Sequence, residues 1–232
     1  MNRIVFDIET APLPDAEDII LKLYPFDPDK VALGNRKDPQ KVAEYIEQKR
    51  VDHSSELLLK AQLNPALSYV CAIGVLPMLD GELGEADVQI AKTVEDEEAL
   101  LVWAMNEFKE VRDYRVWVGF NNTGFDLEFL FKRCWINGIA TASNLRKGRY
   151  WDASHVVDLM QEWSFYNNRN PWSSLDLVAK TLGVQDENRP EVKGKDFYKL
   201  LESDFATAMR YLMADLRETK SIAEKILPPM LG

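Results

Sequence analysis

Arg3-Ile-Val-Phe-Asp-Ile-Glu-Thr10 is a short, nearly continuous apolar run that carries two carboxylates. Apolar residues on both alternating sets mark a strand covered on both faces, as in the middle of a helix-flanked sheet. Residues two apart on a strand point the same way, so Val5, Asp7 and Glu9 share one face, and Ile4, Phe6 and Ile8 the other. Two carboxylates side by side at the end of an apolar strand repel each other and lose hydration. A divalent cation offsets that cost, because hard cations prefer carboxylate oxygens. A strand that ends before Glu9 and leaves it in water does so as well.

Outward from this strand the chain changes character. Residues 11–65 hold six of the eleven prolines (Pro12, Pro14, Pro25, Pro28, Pro39 and Pro65) with helical stretches between them, which reads as a helical insertion packed on the core. Asp38-Pro39 ahead of residues 40–50 is a capped helix start with Pro at the first helical position, and Ser54 or Ser55 is placed to cap a second helix through Leu63. Residues 68–76 read as strand, Asp80-Gly81 as a turn, and residues 87–91 as a strand pairing back. Residues 95–111 form an amphipathic helix with Leu100, Leu101, Ala104, Met105 and Phe108 on one side. Strand follows at 115–120, and helix at 125–136 up to Asn137-Gly138. Helices follow at 155–163, at 174–182 closed by Gly183, and at 204–226 stopped by Pro228-Pro229. This order predicts an α/β fold with one mixed central sheet flanked by helices.

The 232 residues suit one generous domain, and a chain of this size buries roughly 70–75% of its extended surface. With 46% hydrophobic, 10% aromatic and 28% charged residues the composition excludes disorder as the main state. No window approaches ~20 uncharged apolar residues, and no secretory signal is expected because the first apolar run contains Asp7. The two cysteines, Cys71 and Cys134, make no CxxC, so a reducing, cytoplasmic home is expected. A net charge of −10 argues against indiscriminate binding to nucleic acid or acidic membrane. Between Phe131 and Trp151, however, five basic residues (Lys132, Arg133, Arg146, Lys147 and Arg149) gather with no acidic one. They form either a solvated loop or a local phosphate-contacting stretch.

Two further segments carry chemistry. In Gly119-Phe-Asn-Asn-Thr-Gly-Phe-Asp126 a strand ends in a polar turn and a helix begins near Asp126. Carboxylates are favoured at helix N-termini, and this one also points toward the sheet edge where Asp7 sits. In Tyr211-Leu-Met-Ala-Asp215 a hydroxyl and a carboxylate lie four apart on one helix face.

In this order and spacing, Asp-x-Glu, Gly-Phe-Asn-x4-Asp and Tyr-x3-Asp resemble the DEDD 3′–5′ exonucleases. The tyrosine marks the DEDDy branch, and the chain is similar to the proofreading exonuclease domain of family B DNA polymerases, in the manner of stand-alone, polymerase-B-like exonucleases. Ser174-Leu-Asp-Leu-Val-Ala-Lys-Thr-Leu-Gly183 resembles that family's helix before the last motif. The histidine branch is excluded, because Arg210 stands five residues before Asp215, and His53 and His155 are elsewhere. Residues 11–65 depart from the family's minimal pattern.

The resemblance implies a ribonuclease H-like fold in a single exonuclease domain over 1–232. It also implies catalytic and metal-binding Asp7, Glu9, Asp126 and Asp215, with Tyr211 as a further catalytic residue. Two Mg²⁺ or Mn²⁺ ions are the implied cofactors, their charge balancing four carboxylates. Ions roughly 3.5–4 Å apart stabilise both attacking and leaving oxygens. Asp7 would bridge both ions, Glu9 and Asp215 would hold the water-activating one, and Asp126 the other, partly through water. Tyr211, with an ordinary pKa of about 10, would orient the attacking water rather than act as a base. Single-stranded DNA or a mismatched DNA terminus is the implied substrate, with nucleoside 5′-monophosphates as products. The resemblance leaves room for replication or repair proteins as partners and calls for no membrane.

Asn121, Asn122 and Phe125 in the turn, with Lys132 and Arg133 beyond it, are the candidate substrate contacts, and Phe125 serves equally as a helix anchor. Two other functions fit the same residues: an exoribonuclease, since the 2′-hydroxyl is read by local shape, and a degenerate nucleic-acid- or protein-binding module. Asp152, His155 and Asp158 do not converge as metal ligands at 3.6 residues per turn, so Asp152 is expected to cap a helix and Asp158 to be structural. The six tryptophans scatter without a period and belong mostly to the core, with Trp172 after Asn170-Pro171 as a loop contact.

Overall fold

The structure, a computed structural model, describes residues 3–79, 82–109, 115–167 and 173–227. Asp80-Gly81, Asn170-Pro171, Trp172 and Pro228-Pro229 lie outside the described residues, and with them the turn, loop-contact and helix-stop expectations. The strands are β1 (Arg3–Pro12), β2 (Ser68–Leu79), β3 (Glu82–Leu83), β4 (Asp87–Ile90), β5 (Val116–Gly119), β6 (Arg146–Lys147), β7 (Tyr150–Trp151) and β8 (Val156–Asp158). The helices are α1 (Ala16–Leu23), α2 (Pro39–Gln62), α3 (Glu97–Lys109), α4 (Asp126–Ile136), α5 (Leu159–Trp163), α6 (Leu175–Leu182), α7 (Phe197–Ser203) and α8 (Phe205–Ile226).

Six strands build the central sheet in the order β3-β2-β1-β5-β8, with β4 on β2, while β6 and β7 form a separate hairpin. The sheet is mixed. β1, β5 and β8 run parallel, with Val5 beside Val118 and Val118 beside Val157, whereas β3 and β4 are antiparallel to β2. Alternation along β1 sends Val5 into a core with Val118, Leu159, Val178, Leu216 and Ile222. Phe6 points the other way and meets Phe108 and Trp117 edge-on, with ring centres 5.4 and 6.0 Å away. The face of Val5 is therefore the face on which α8 packs. Gly74 of β2 permits the close approach, since a Cβ there would stand 2.7 Å from Leu216.

Residues 11–69 form a compact unit of their own, and the remaining described residues form the other. In the smaller unit Ala16 and Ile20 of α1 pack with Leu57 and Ala61 of α2 and with Leu67. Two helices were expected over 40–50 and from Ser54 or Ser55 to Leu63, but α2 is continuous. Asp38 accepts from the Gln40 N–H, Pro39 takes the first position, and neither Pro nor Gly interrupts the rest of the helix. The pairs Gln40–Glu44, Gln48–Asp52 and Glu56–Lys60 bridge successive turns, so Ser54 and Ser55 are mid-helix residues.

A second difference bears on the site. The expected helix over 155–163 is a strand, β8, followed by the short α5. Val156 and Val157 are β-branched and pair with β5, and this edge pairing overrides the helical pattern. Asp158 accordingly caps α5, accepting from the Met160 N–H. Asp152 caps no helix and instead accepts from the N–H and hydroxyl of Ser154. α1 is one of the helical stretches expected between the prolines of 11–65, and α7 is an addition to the expected order.

Candidate active site

The parallel strands β1, β5 and β8 end at one edge of the sheet, and crevices outside the carboxyl ends of parallel strands are where open α/β sheets bind ligands. Asp7 lies two residues past Val5, the last β1 residue in the β5 register, on the face toward α8. Along α8 the buried positions Ala208, Tyr211, Leu212, Asp215, Leu216, Thr219 and Ile222 recur every three or four residues. That stripe brings Asp215 to the end of β1. Carboxylate oxygens of Asp7, Glu9 and Asp215 all lie within 4.8 Å of one another.

Asp126 arrives from the other side. After β5 the chain turns through Asn121, whose φ of 63° is left-handed. Asn tolerates that conformation better than other non-glycine residues do. Asp158 fixes the turn by accepting from the N–H of Asn121 at 3.0 Å, the N–H of Thr123 at 3.1 Å and the Thr123 hydroxyl at 2.5 Å. The turn ends in α4, whose first residue is Asp126. Asp126 accepts from the N–H of Ile8, between Asp7 and Glu9, at 3.1 Å, which ties the start of α4 to β1.

Four carboxylates so placed cannot all ionise at ordinary cost. Burial raises the Asp7 and Glu9 carboxyls well above their usual range, and the neighbouring carboxylates raise them further. Burial likewise lifts Asp215, and it lifts Asp126 to about 7. Tyr211 donates to Asp215, and burial with the adjacent carboxylates pushes its phenol upward, so it stays protonated.

A cation enters the cluster. Arg189 places Nη1 2.6 Å from Asp215 Oδ1 and 2.7 Å from Glu218 Oε2, and its guanidinium lies 5.1 Å from the centre of the Tyr211 ring. Glu218 is wholly buried and also accepts from the Asp186 N–H, so it anchors the arginine. Sequence reasoning missed both residues. Glu218 had a signal, because it stands three positions after Asp215 on a buried helix face, where two carboxylates require a partner. Arg189 sits in a loop, and no spacing marks it. An arginine shared with Glu218 does not compensate four carboxyls, and their hard oxygen donors fit a divalent cation, which would favour their ionised form.

The proposed substrate contacts divide. Phe125 precedes Asp126 at the start of α4, with its ring 5.5 Å from buried Phe129, as a helix anchor would be. Asn121 holds the turn. Asn122 is buried and donates from Nδ2 to the Val157 carbonyl, so it joins the turn to β8 and faces no groove. Lys132 is half-buried and pairs with Glu128. Arg133 is 4% exposed and grips Glu97, itself 1% exposed, through Nε at 2.9 Å and Nη2 at 2.6 Å. It therefore joins α4 to α3 inside the protein and offers nothing to a substrate.

The family profile RNase_H_2, described as the RNase_H superfamily, matches residues 60–226. That stretch contains Asp126, Arg189, Tyr211 and Asp215 and begins after β1. No curated protein matches the chain. Among the described residues no helix is long and apolar enough to cross a membrane.

Proposed function

The chain belongs to the RNase H superfamily, and from that footing we propose that it is a metal-dependent 3′–5′ exonuclease acting on single-stranded or mismatched DNA ends. The convergence of Asp7, Glu9 and Asp215, from two elements far apart in sequence, carries this reading. The order and spacing of the three motifs support the DEDDy subtype and its polarity.

Asp7, Glu9 and Asp215 would hold Mg²⁺ or Mn²⁺, with Asp126 beside them, and two ions fit the number of carboxylates. Metal bound there supplies Lewis-acid stabilisation of the phosphate oxygens and a nucleophilic water at neutral pH. Tyr211 keeps its proton and orients water by a hydrogen bond. Arg189 fixes Asp215 through its second contact with Glu218. Attack by water on the terminal phosphorus breaks its bond to the 3′ oxygen of the preceding nucleotide. That oxygen takes a proton to leave a 3′-hydroxyl, and a nucleoside 5′-monophosphate departs.

Digestion of 5′-labelled single-stranded DNA and RNA with Mg²⁺ or Mn²⁺, wild type against Asp7→Ala, tests the proposal. A ladder shortening from the 3′ end of DNA, absent in the variant, is expected. Faster RNA trimming makes the enzyme an exoribonuclease. No ladder and no stabilisation by Mn²⁺ identifies a degenerate binding module instead.

A further inference from the structure

A second site lies on the outer face of α4, where a cavity of about 270 Å³ opens toward the β6–β7 hairpin. Its lining sets three aromatic rings and three cations against a single carboxylate, Glu128. Glu128 is taken by Lys132 one turn along the helix. Arg146 and Arg149 pair with no carboxylate among the described residues, in a chain whose net charge is −10.

The pocket has a fixed floor and an open wall. Trp151 donates its indole N–H to the Thr123 carbonyl at 3.2 Å and meets Phe131 edge-on at 5.2 Å. The Arg146 guanidinium lies 5.6 Å from the Trp151 ring centre, and its Nη2 donates to the Arg149 carbonyl at 3.3 Å. Trp135 forms the wall and is 57% exposed, whereas Trp117 in the core is 1% exposed. Aromatic faces beside guanidinium groups that have no carboxylate partner among the described residues suit a nucleobase with its phosphate, since bases stack on flat rings and the arginine fork matches phosphate oxygens. The volume is just under the ~300 Å³ at which ligand pockets usually begin, which suits one base rather than a protein segment.

We propose that this pocket binds one nucleotide of a single strand, upstream of the 3′ end held at the carboxylates. The choice of strand as occupant rests on the exonuclease reading. The path is physical. Thr123, to which Trp151 is bonded, lies in the turn that delivers Asp126, and α4 rises about 13 Å from Asp126 to Trp135 at 1.5 Å per residue. The pocket therefore holds a nucleotide a few positions back from the terminus, and substrates too short to reach it are cut without its help.

The test is fluorescence anisotropy of a labelled single strand about ten nucleotides long, in chelator so that nothing is cut. Arg146→Ala with Arg149→Ala is expected to weaken binding about tenfold and reduce the salt slope by up to about two. Trp135→Ala weakens it several-fold, and Trp135→Phe restores most of the loss. With metal, the same variants raise KM for long strands and leave dinucleotide cleavage unchanged. Trp135 and Arg149 are exposed and Arg146 is half-buried, and unchanged thermal melting confirms folding. Undiminished strand affinity in all variants overturns the pocket even if the protein is an exonuclease. A free 5′-mononucleotide bound as tightly as the strand, and lost in the same variants, overturns the strand as occupant. Weakened strand binding in a protein that cuts nothing keeps the pocket and removes the exonuclease.

Discussion

At the scale of residues, Arg189 is the group whose charge the site depends on most. It lowers the pKa of Asp7, Glu9 and Asp215 against the burial that raises all three. Arg189→Ala removes that opposition, so these carboxyls hold their protons to higher pH. The acid limb of the kcat–pH profile is expected to move up, with kcat at neutral pH falling by about 10–100-fold, as for other residues that orient metal ligands. Arg189→Lys keeps a charge but cannot bridge Asp215 and Glu218 with one planar group, and should fall between. A loss of kcat with an unmoved acid limb would reduce Arg189 to a packing residue. Which way these carboxylates point was legible from two periodicities, two residues along β1 for Asp7 and Glu9 and four along α8 for Tyr211 and Asp215, while their gathering with Asp126 was implied only by the resemblance of the three motifs. Arg189 and Arg133 were not. Whether an arginine is buried depends on a partner distant in sequence, and Glu97 stands 36 positions from Arg133.

At the scale of elements, the misread stretch is also the one that fixes the turn. Val156-Val157-Asp158 has a helical pattern in the sequence because one short edge strand offers few residues from which to count a period. Its partner β5 makes it a strand, and Asp158 is thereby carried to the sheet edge. There it accepts from the backbone N–H groups of Asn121 and Thr123 and caps α5. Asp158→Asn keeps one acceptor oxygen and loses the charge. Hydrogen bonds to a buried charged acceptor are worth about 2–3 kcal/mol, so the melting temperature should drop by roughly 5–10 °C in a chain this size. Asp126, whose helix starts where that turn ends, would be less firmly placed, so kcat should fall while dinucleotide KM changes little. A variant that melts like the wild type would show that the turn is held by other interactions.

At the scale of the whole molecule, the cluster of raised carboxyls couples folding to pH and to metal. A carboxyl whose folded pKa lies above its unfolded value binds more protons in the folded state. Its contribution to stability is complete below the unfolded pKa of about 4 and is lost as pH rises through the folded value. For Asp126 that window runs from the ordinary carboxylate range to about 7, and Asp7, Glu9 and Asp215 shift in the same direction. The solvent-facing carboxylates with lowered values, Asp27, Asp52, Glu56, Asp152, Asp196 and Asp204, act in the opposite sense but finish titrating at lower pH. In chelator, therefore, the melting temperature should decline between about pH 5 and pH 8. Divalent metal takes the ionised carboxylates, so Mn²⁺ at about a hundred times its Kd adds about 2.7 kcal/mol, and binding below pH 7 releases protons. Scanning fluorimetry with and without Mn²⁺ across this range, with Asp7→Asn alongside, reads both effects. A chelated protein whose melting temperature rises with pH throughout would mean that the carboxylates are already ionised and compensated without metal, and the cluster would lose its claim to be a cation site.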